Sequence, residues 1–407
     1  MSNYSLFSVI GLEIEYMLVD QDTLNIQPLS DIILKDLAGK IVNEAVVGDI
    51  AISNELVMHV LELKNNGPKP ITVDLALQFQ KAVDQLKPIL KQHNLCFMPS
   101  GAHPWMNPQK ETKRWPHDNK ALYEQFDKIF DCQGHGWANL QSMHVNLPFA
   151  DDQEFFQLHT AIRLLLPLLP ALAASTPILD SRPTGYQDTR LKYYGDNQQR
   201  IPIISGEVIP EFVGSIKDYQ DTILQPIYDA ISPYDPDKIL QFEWLNSRGA
   251  IPKFAYNAIE IRLLDSQECV NADVAIALVI VAILKKWLRN SHYFLEHPCE
   301  IAPLKSIYET SLRDGLSTQI EHRELFDQWQ INPRAKHLCD VWSQLIEQVS
   351  SDLDDTTQKS LELILSQGNL SHRILKSING NFEHSQLAQT YRKLTQCLAH
   401  NQAFTVK

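Results

Sequence analysis

Three short segments, widely separated in the chain, alternate apolar residues with side chains that carry charge or bind ions: Gly11-Leu-Glu-Ile-Glu-Tyr16, Ser142-Met-His-Val-Asn-Leu147 and Ala258-Ile-Glu-Ile-Arg-Leu263. A strand turns successive side chains to opposite faces. Leu12, Ile14 and Tyr16 therefore share one face while Glu13 and Glu15 share the other. Likewise Met143, Val145 and Leu147 oppose Ser142, His144 and Asn146, and Ile259, Ile261 and Leu263 oppose Glu260 and Arg262. A sheet built from these strands has one apolar face for helices to cover. Its other face gathers carboxylates, an imidazole, an amide and a guanidinium, where an ordinary wet face would favour Thr, Lys and Gln.

A fourth segment, Asn54-Glu-Leu-Val-Met-His-Val-Leu-Glu-Leu-Lys64, adds Glu55 and Glu62. An odd separation puts two residues on opposite faces of one regular strand. Glu55 therefore lies either in a turn before the strand or beyond a bulge. His59 sits among apolar neighbours and reads as a core histidine. Gathered carboxylates suit a hard cation: Mg²⁺ takes oxygen ligands and completes its shell with water and substrate phosphates. A nearby Arg then suits a transferring phosphoryl group. No G-x-x-x-x-G-K-[ST] and no G-x-G-x-x-G occurs, so a nucleotide on this chain is expected to be held chiefly through metals.

The rest of the chain sets the frame. From the start to about residue 265, strand-like runs, including one over 57–63, mix with helical patterns over 73–92 and 155–166. Beyond Asn271, read as a helix N-cap, the chain is nearly all helical, with segments over 272–289, 324–330, 338–350, 358–367 and 386–399. Strands first and helices last imply an α+β fold, with a helical C-terminal part (291–407) packed on a motif-bearing core (1–290) as a single catalytic domain. The 407 residues carry a net charge of −13, which argues against a nucleic-acid binder. Six scattered cysteines without C-x-x-C spacing read as reduced thiols. No secretory signal is visible, and the apolar runs at 164–179 and 275–284 are too broken or too short to span a bilayer. A cytoplasmic protein without membrane contact is expected.

These residues resemble the glutamate–cysteine ligase type 2 family, the bacterial carboxylate–amine ligases. The likeness runs through G-L-E-I-E-Y (11–16), E-L-V-M-H-V-L-E-L-K-N-N-G-P (55–68), M-H-V-N-L (143–147), L-L-P-A-L-A-A-S-T-P-I (168–178), S-R-P-T-G-Y-Q-D-T-R (181–190) and A-I-E-I-R-L-L-D (258–265). It implies a glutamine-synthetase-like or guanidino-kinase-like fold: a curved antiparallel sheet around the site with helices outside. It also implies a reaction in which ATP phosphorylates a carboxylate, the γ-carboxyl of glutamate in the type reaction, and an amine such as cysteine attacks the acyl phosphate. By position, Glu13, Glu15, Glu55, Glu62, His144 and Glu260 would serve the metal, Mg²⁺ or alternatively Mn²⁺. Arg262 and Glu260 would act at the reacting phosphoryl group, and Arg190, Thr184, Tyr186, Asn146 and Arg248 would hold substrate or ATP. The partners implied are small molecules, with a homodimer as the default assembly.

The chain departs from the family's H-V-H-V-G, which here reads His144-Val145-Asn146-Leu147 so that the second His is Asn and the Gly is lost, and from its R-P, which here is Arg248-Gly249. Two competing readings are a guanidino-kinase-type phosphotransferase and an inactive ATP- or glutamate-binding protein. His103 and His135 are each read as either a turn residue or a contributor to the site.

Overall fold

In the computed structural model, which describes residues 4–71, 74–290 and 293–406, the strands are β1 (Gly11–Asp20), β2 (Glu44–Val47), β3 (Ile50–Asn54), β4 (Val60–Asn65), β5 (Leu95–Met98), β6 (Ser142–Pro148), β7 (Ile178–Leu179), β8 (Arg182–Pro183), β9 (Ala250–Lys253) and β10 (Ala258–Asp265). Eight of them form one open antiparallel sheet in the order β2-β3-β4-β1-β6-β10-β9. β5 continues the β6 side along the second half of β1, pairing Met17 with Met98 through Asp20 with Leu95. β7 and β8 form a separate hairpin. The short edge strand β9 contains Pro252, a residue that a central strand would not tolerate.

The alternation read from the sequence decides what the sheet buries. Leu12, Ile14, Leu61, Leu63, Met143, Val145, Leu147, Ile259 and Ile261 join one apolar core with the helices Asp74–Gln92, Asp152–Leu165 and Val270–Asn290. Trp329, Trp342 and Leu345, from beyond residue 300, enter the same core. Asp152–Ala173 has the length and hydropathy to cross a membrane, yet 89% of its most apolar window is packed inside the fold.

Some boundaries differ from the sequence reading. Val73, read as the first residue of a helix, lies outside the described residues; the helix is described from Asp74. The strand read over 57–63 is β4, shifted to 60–65, because 55–59 form the connection from β3. Asn271 is not an N-cap: the helix begins at Val270, and Asn271 exchanges hydrogen bonds with Asn401 through its N–H and its Oδ1. Asp273, in that first turn, accepts from the Gln267 N–H at 2.8 Å and from the Tyr16 hydroxyl at 3.0 Å.

The far half of the sheet inverts the simple two-face picture. Met17 and Val19 continue the face that carries Glu13 and Glu15, yet both are fully buried. They pack with Val60 and Met98 against Leu370, Ile374, Tyr391 and Leu394. The last two helices, Leu370–Ile378 and His384–His400, thus cover this face where it turns apolar. The polar half remains next to them.

Candidate active site

Strand register places the polar residues side by side. Glu13 stands opposite Lys64 on one side and His144 on the other; Glu15 stands opposite Glu62, and Asn146 opposite both Gly11 and Glu260. The His144 ring carries Nδ1 3.3 Å from Glu13 and Nε2 3.0 Å from the Ser142 hydroxyl. Asn146 donates to the other Glu13 oxygen at 3.0 Å. Glu15 accepts from the Ser142 N–H at 2.7 Å, and Glu62 from the Ser53 hydroxyl at 2.9 Å. Arg262 Nε is 3.2 Å from Glu260, which also pairs with Lys253. The Arg262 guanidinium lies over the Tyr194 ring, 5.9 Å from its centroid.

Two triads of ligating atoms result, Glu13–His144–Glu260 and Glu15–Glu62–His144, each with its atoms within 4.8 Å of one another. They share the imidazole. This donor set, oxygen-rich with one nitrogen, fits Mg²⁺ or Mn²⁺.

The local field is uneven. Burial alone would raise the Glu13 carboxyl, but the His144 hydrogen bond and the charges of Lys253 and Lys64 hold it well below the usual carboxylate range. Burial and then the Glu13 charge push Glu62 up to about 7, against the pull of Lys64. Two neighbouring acids thus differ in proton affinity: the His144 hydrogen bond and the Lys253 charge favour the ionised Glu13, and its charge then opposes ionisation of the buried Glu62. Burial would lower Arg262, but Tyr194 and Glu260 raise it, so the guanidinium is a permanent charge.

Glu55 directly follows β3, so it belongs to the turn rather than to a bulged strand. Burial, then the charges of Glu62 and Glu15, raise its carboxyl well above normal, which marks it as a neighbour of the same cluster. Arg190 is buried, with Nε bonded to Asp265 at 2.5 Å and Nη2 3.4 Å from the Arg262 carbonyl. Thr184 shapes its loop: its hydroxyl bonds the Thr189 hydroxyl at 2.6 Å and accepts the Tyr186 N–H at 3.2 Å. Thr184 and Tyr186 also line a surface cleft of about 590 Å³ with Lys192 and Tyr193. Arg248 is committed elsewhere. Its fork grips Glu211 at 2.5 and 2.6 Å, and Nη1 donates to Ile203 O and Asn246 Oδ1. His59 is a core residue bonded to Ala138 O, His103 is buried on Leu24 O, and His135 pairs with Asp180 at 3.3 Å.

Sequence reading missed three members of the site. Lys64 stands two residues after Glu62 on β4, on the same face, so alternation alone could have found it. Lys253 ends a four-residue strand too short to show a period. Asp265 was hidden by a bulge. Between Ile261 and Leu264, β10 carries one residue more than β6, which turns Asp265 onto the polar face opposite Ser142 although uninterrupted alternation places it with Ile261. Gly249 accommodates this bulge: a β-carbon there would lie 2.5 Å from Leu263. A cleft of about 630 Å³ opens at the polar face, lined by Glu13, Lys64, Asn146, Lys253 and Tyr256 among others.

The chain thus forms an open antiparallel sheet with acids and a fixed guanidinium gathered on one face and helices packed on the other. The family described as Glutamate-cysteine ligase family 2 matches residues 9–392. The chain belongs to that family, and it is an ATP-dependent ligase forming C–N bonds. It is 31% identical over 396 residues to an uncharacterized Archaeoglobus fulgidus protein, covering 97% of this chain and 100% of that one. A Bradyrhizobium diazoefficiens protein, provisionally named glutamate–cysteine ligase 2, is 25% identical over 286 residues, covering 69% of this chain and 60% of its own length. In fold, the chain is similar to the glutamate–cysteine ligase of Francisella tularensis solved in complex with AMP, with TM-score 0.65 and 14% identity over 98% of this chain and 90% of that one.

Proposed function

We propose that this protein uses ATP to join an amino-acid carboxylate, glutamate-like in type, to an amine such as cysteine through an acyl phosphate. The observation that carries this reading is the pair of acid–imidazole triads sharing His144 beside Arg262. Glu13, Glu15, Glu62, His144 and Glu260 would hold Mg²⁺, or Mn²⁺ in its place, with Glu55 beside them. Bound there, divalent ions neutralise the phosphates of ATP and the charge that develops on transfer.

The chain's own residues supply the rest. Arg262, oriented by Glu260, presents a fixed guanidinium to the transferring phosphoryl group. A carboxylate oxygen of the acid attacks the γ-phosphorus and ADP leaves; the amine nitrogen then attacks the acyl carbon, loses a proton and expels phosphate. Neither step needs a protein nucleophile. Asn146, bonded to Glu13, stands at the rim of the cleft and suits contact with substrate. Arg190 lies in a deeper layer, where its charge supports the phosphoryl site from below, with Thr184 and Tyr186 fixing its loop. Arg248 supports the wall through Glu211.

We read 1–407 as one catalytic unit acting on small molecules, without nucleic-acid or membrane partners. Its six free thiols suit the cytoplasm, and a homodimer is the assembly we expect.

The test is ADP release from Mg²⁺-ATP, L-glutamate and pooled amines including cysteine, with mass spectrometry of the products. ADP with a condensed mass is the expected result, abolished in Glu13→Gln and Arg262→Ala. Unchanged turnover in either variant overturns the site assignment. A phosphorylated compound that accumulates without amine makes the protein a kinase.

A further inference from the structure

The polar face carries its own cations. Glu13, Glu15, Glu62 and Glu260 are matched there by Lys64, Lys253 and Arg262, four carboxylates against three fixed positive charges. The two lysines divide the triads between them. Lys253 pairs with Glu260 and stands 3.6 Å from Glu13, two acids of one triad. Lys64 lies 3.1 Å from Glu62, an acid of the other, and 3.1 Å from Glu44 outside both.

We propose that Lys64 and Lys253 are exchangeable counter-ions, which hold the metal-site carboxylates in the metal-free protein and turn to the nucleotide phosphates when the divalent ions bind. The inference rests on the metal-site reading given under Proposed function.

Three observations support the exchange. First, a carboxylate that gives an oxygen to Mg²⁺ at about 2.1 Å has less charge left to hold an ammonium, and the metal and ammonium repel each other across it. Metal binding therefore loosens each lysine from the acids it now holds. Second, both can move. Their side chains are 30% and 28% exposed, both line the 630 Å³ cleft, and a lysine stem is flexible and its ammonium rotatable. Lys64 also keeps Glu44 as a partner when it releases Glu62. Third, the charge balance favours joint arrival. Taken fully ionised, and leaving Glu55 aside, these seven groups sum to one negative charge. A divalent ion in each triad alone would leave the face three units positive, whereas the same two ions with a tetra-anionic nucleotide leave the balance unchanged. Metal and nucleotide therefore bind with positive coupling, and the lysines carry part of it.

The experiment measures Mn²⁺ binding to the nucleotide-free, full-length protein by electron paramagnetic resonance, then repeats it with a non-hydrolysable ATP analogue. Lys253→Met and Lys64→Met are expected to bind Mn²⁺ alone about tenfold tighter than wild type, a factor typical of a single coupling. Both should show a smaller gain from the nucleotide. Lys253→Arg, which keeps the charge, should behave as wild type. Lysines with only a structural role would leave Mn²⁺ affinity unchanged or weaken it, and that result in both methionine variants overturns the proposal. Glu13→Gln separates the two readings: wild-type binding that this variant loses keeps the metal site standing even if the lysine variants show no gain. Absence of Mn²⁺ binding to wild type, with and without nucleotide, overturns both.

Discussion

Asp265 anchors Arg190, and replacing it with Asn tests how the site's lower layer is held. Its two oxygens take three donors, the Arg190 Nε–H at 2.5 Å, the Ser175 N–H at 2.8 Å and the Thr176 hydroxyl at 2.9 Å, while the Ser175 hydroxyl, 3.3 Å away, donates to the Ser266 carbonyl at 2.9 Å. The carboxylate is fully buried and the Arg190 side chain is 3% exposed. Whichever way an Asn amide is turned, its NH₂ meets donors, and Arg190 loses its nearest counter-charge. Breaking a buried ion pair by removing one partner costs about 3–5 kcal/mol. Burial and the Asp265 charge hold the Asp188 carboxyl above its usual range, so removing Asp265 lets Asp188 ionise beside Arg190 and places Asp265→Asn toward the lower end, at about 3 kcal/mol. With an unfolding entropy of roughly 2.1 cal/mol/K per residue, that corresponds to a fall in Tm of about 4 °C for a chain of this size. Urea and thermal unfolding of Asp265→Asn and wild type, alongside ADP release, measure it. Asp180→Asn is the control: its carboxylate is solvent-exposed, and its 3.3 Å pair with His135 should be worth less than about 1 kcal/mol. An Asp265→Asn protein within about 1 kcal/mol of wild type and fully active would refute the claim that this carboxylate holds Arg190 in place.

Gly101→Ala should perturb the same anchor from behind, because a β-carbon there would lie 2.5 Å from Asp265 Cγ and 2.6 Å from Thr176 Cγ2; a loss of about 1–3 kcal/mol in urea unfolding is expected. Acid should destabilise the fold through its buried histidines. Burial lowers His59 to about 4, and His103 and His159 to about 3, so the unfolded chain takes up protons first, below its ordinary histidine pKa of about 6.5. Their contribution is complete above that pH and is lost as pH falls toward the folded values. Each histidine costs up to about 2 kcal/mol between pH 7 and 5, and His59→Gln should flatten the stability–pH curve measured by urea titration. Arg373→Met leaves Glu268 charged and fully buried without its fork partner; a loss of about 3–5 kcal/mol is expected in the same assay.

The part of the site legible in sequence is the part that alternation controls. Glu13, Glu15, His144, Asn146 and Glu260 sit on regular stretches of β1, β6 and β10, where a period of two assigns a face without further information; Arg262 enters the bulge yet still lies 3.2 Å from Glu260. Glu55 and Glu62 were ambiguous because a β3–β4 connection of five residues, 55–59, separates the two strands, and β3 itself carries no charged residue to announce it. Arg190 and Arg248 show the opposite limit. A buried arginine in a motif loop looks the same in sequence whether it faces a ligand or an internal carboxylate, and the partners Asp265 and Glu211 lie 75 and 37 residues away.

The C-terminal part was opaque for a related reason. It contributes no ligating side chain to the triads, so no chemistry marks it; what it contributes is position. The Leu312 carbonyl accepts the N–H groups of Gln187 and Asp188, the Ser371 hydroxyl donates to the Gln187 carbonyl, and the Ser371 N–H donates to Ala174 O. The loop that presents Arg190 is therefore fixed from outside by two helices that carry no motif, while Leu370, Ile374, Tyr391 and Leu394 cover the face of β1 just beyond Glu15. A sheet face that must stay polar at one half and dry at the other needs such a cover. Met17 and Val19, two and four residues after Glu15 on the same side, are the sequence trace of it.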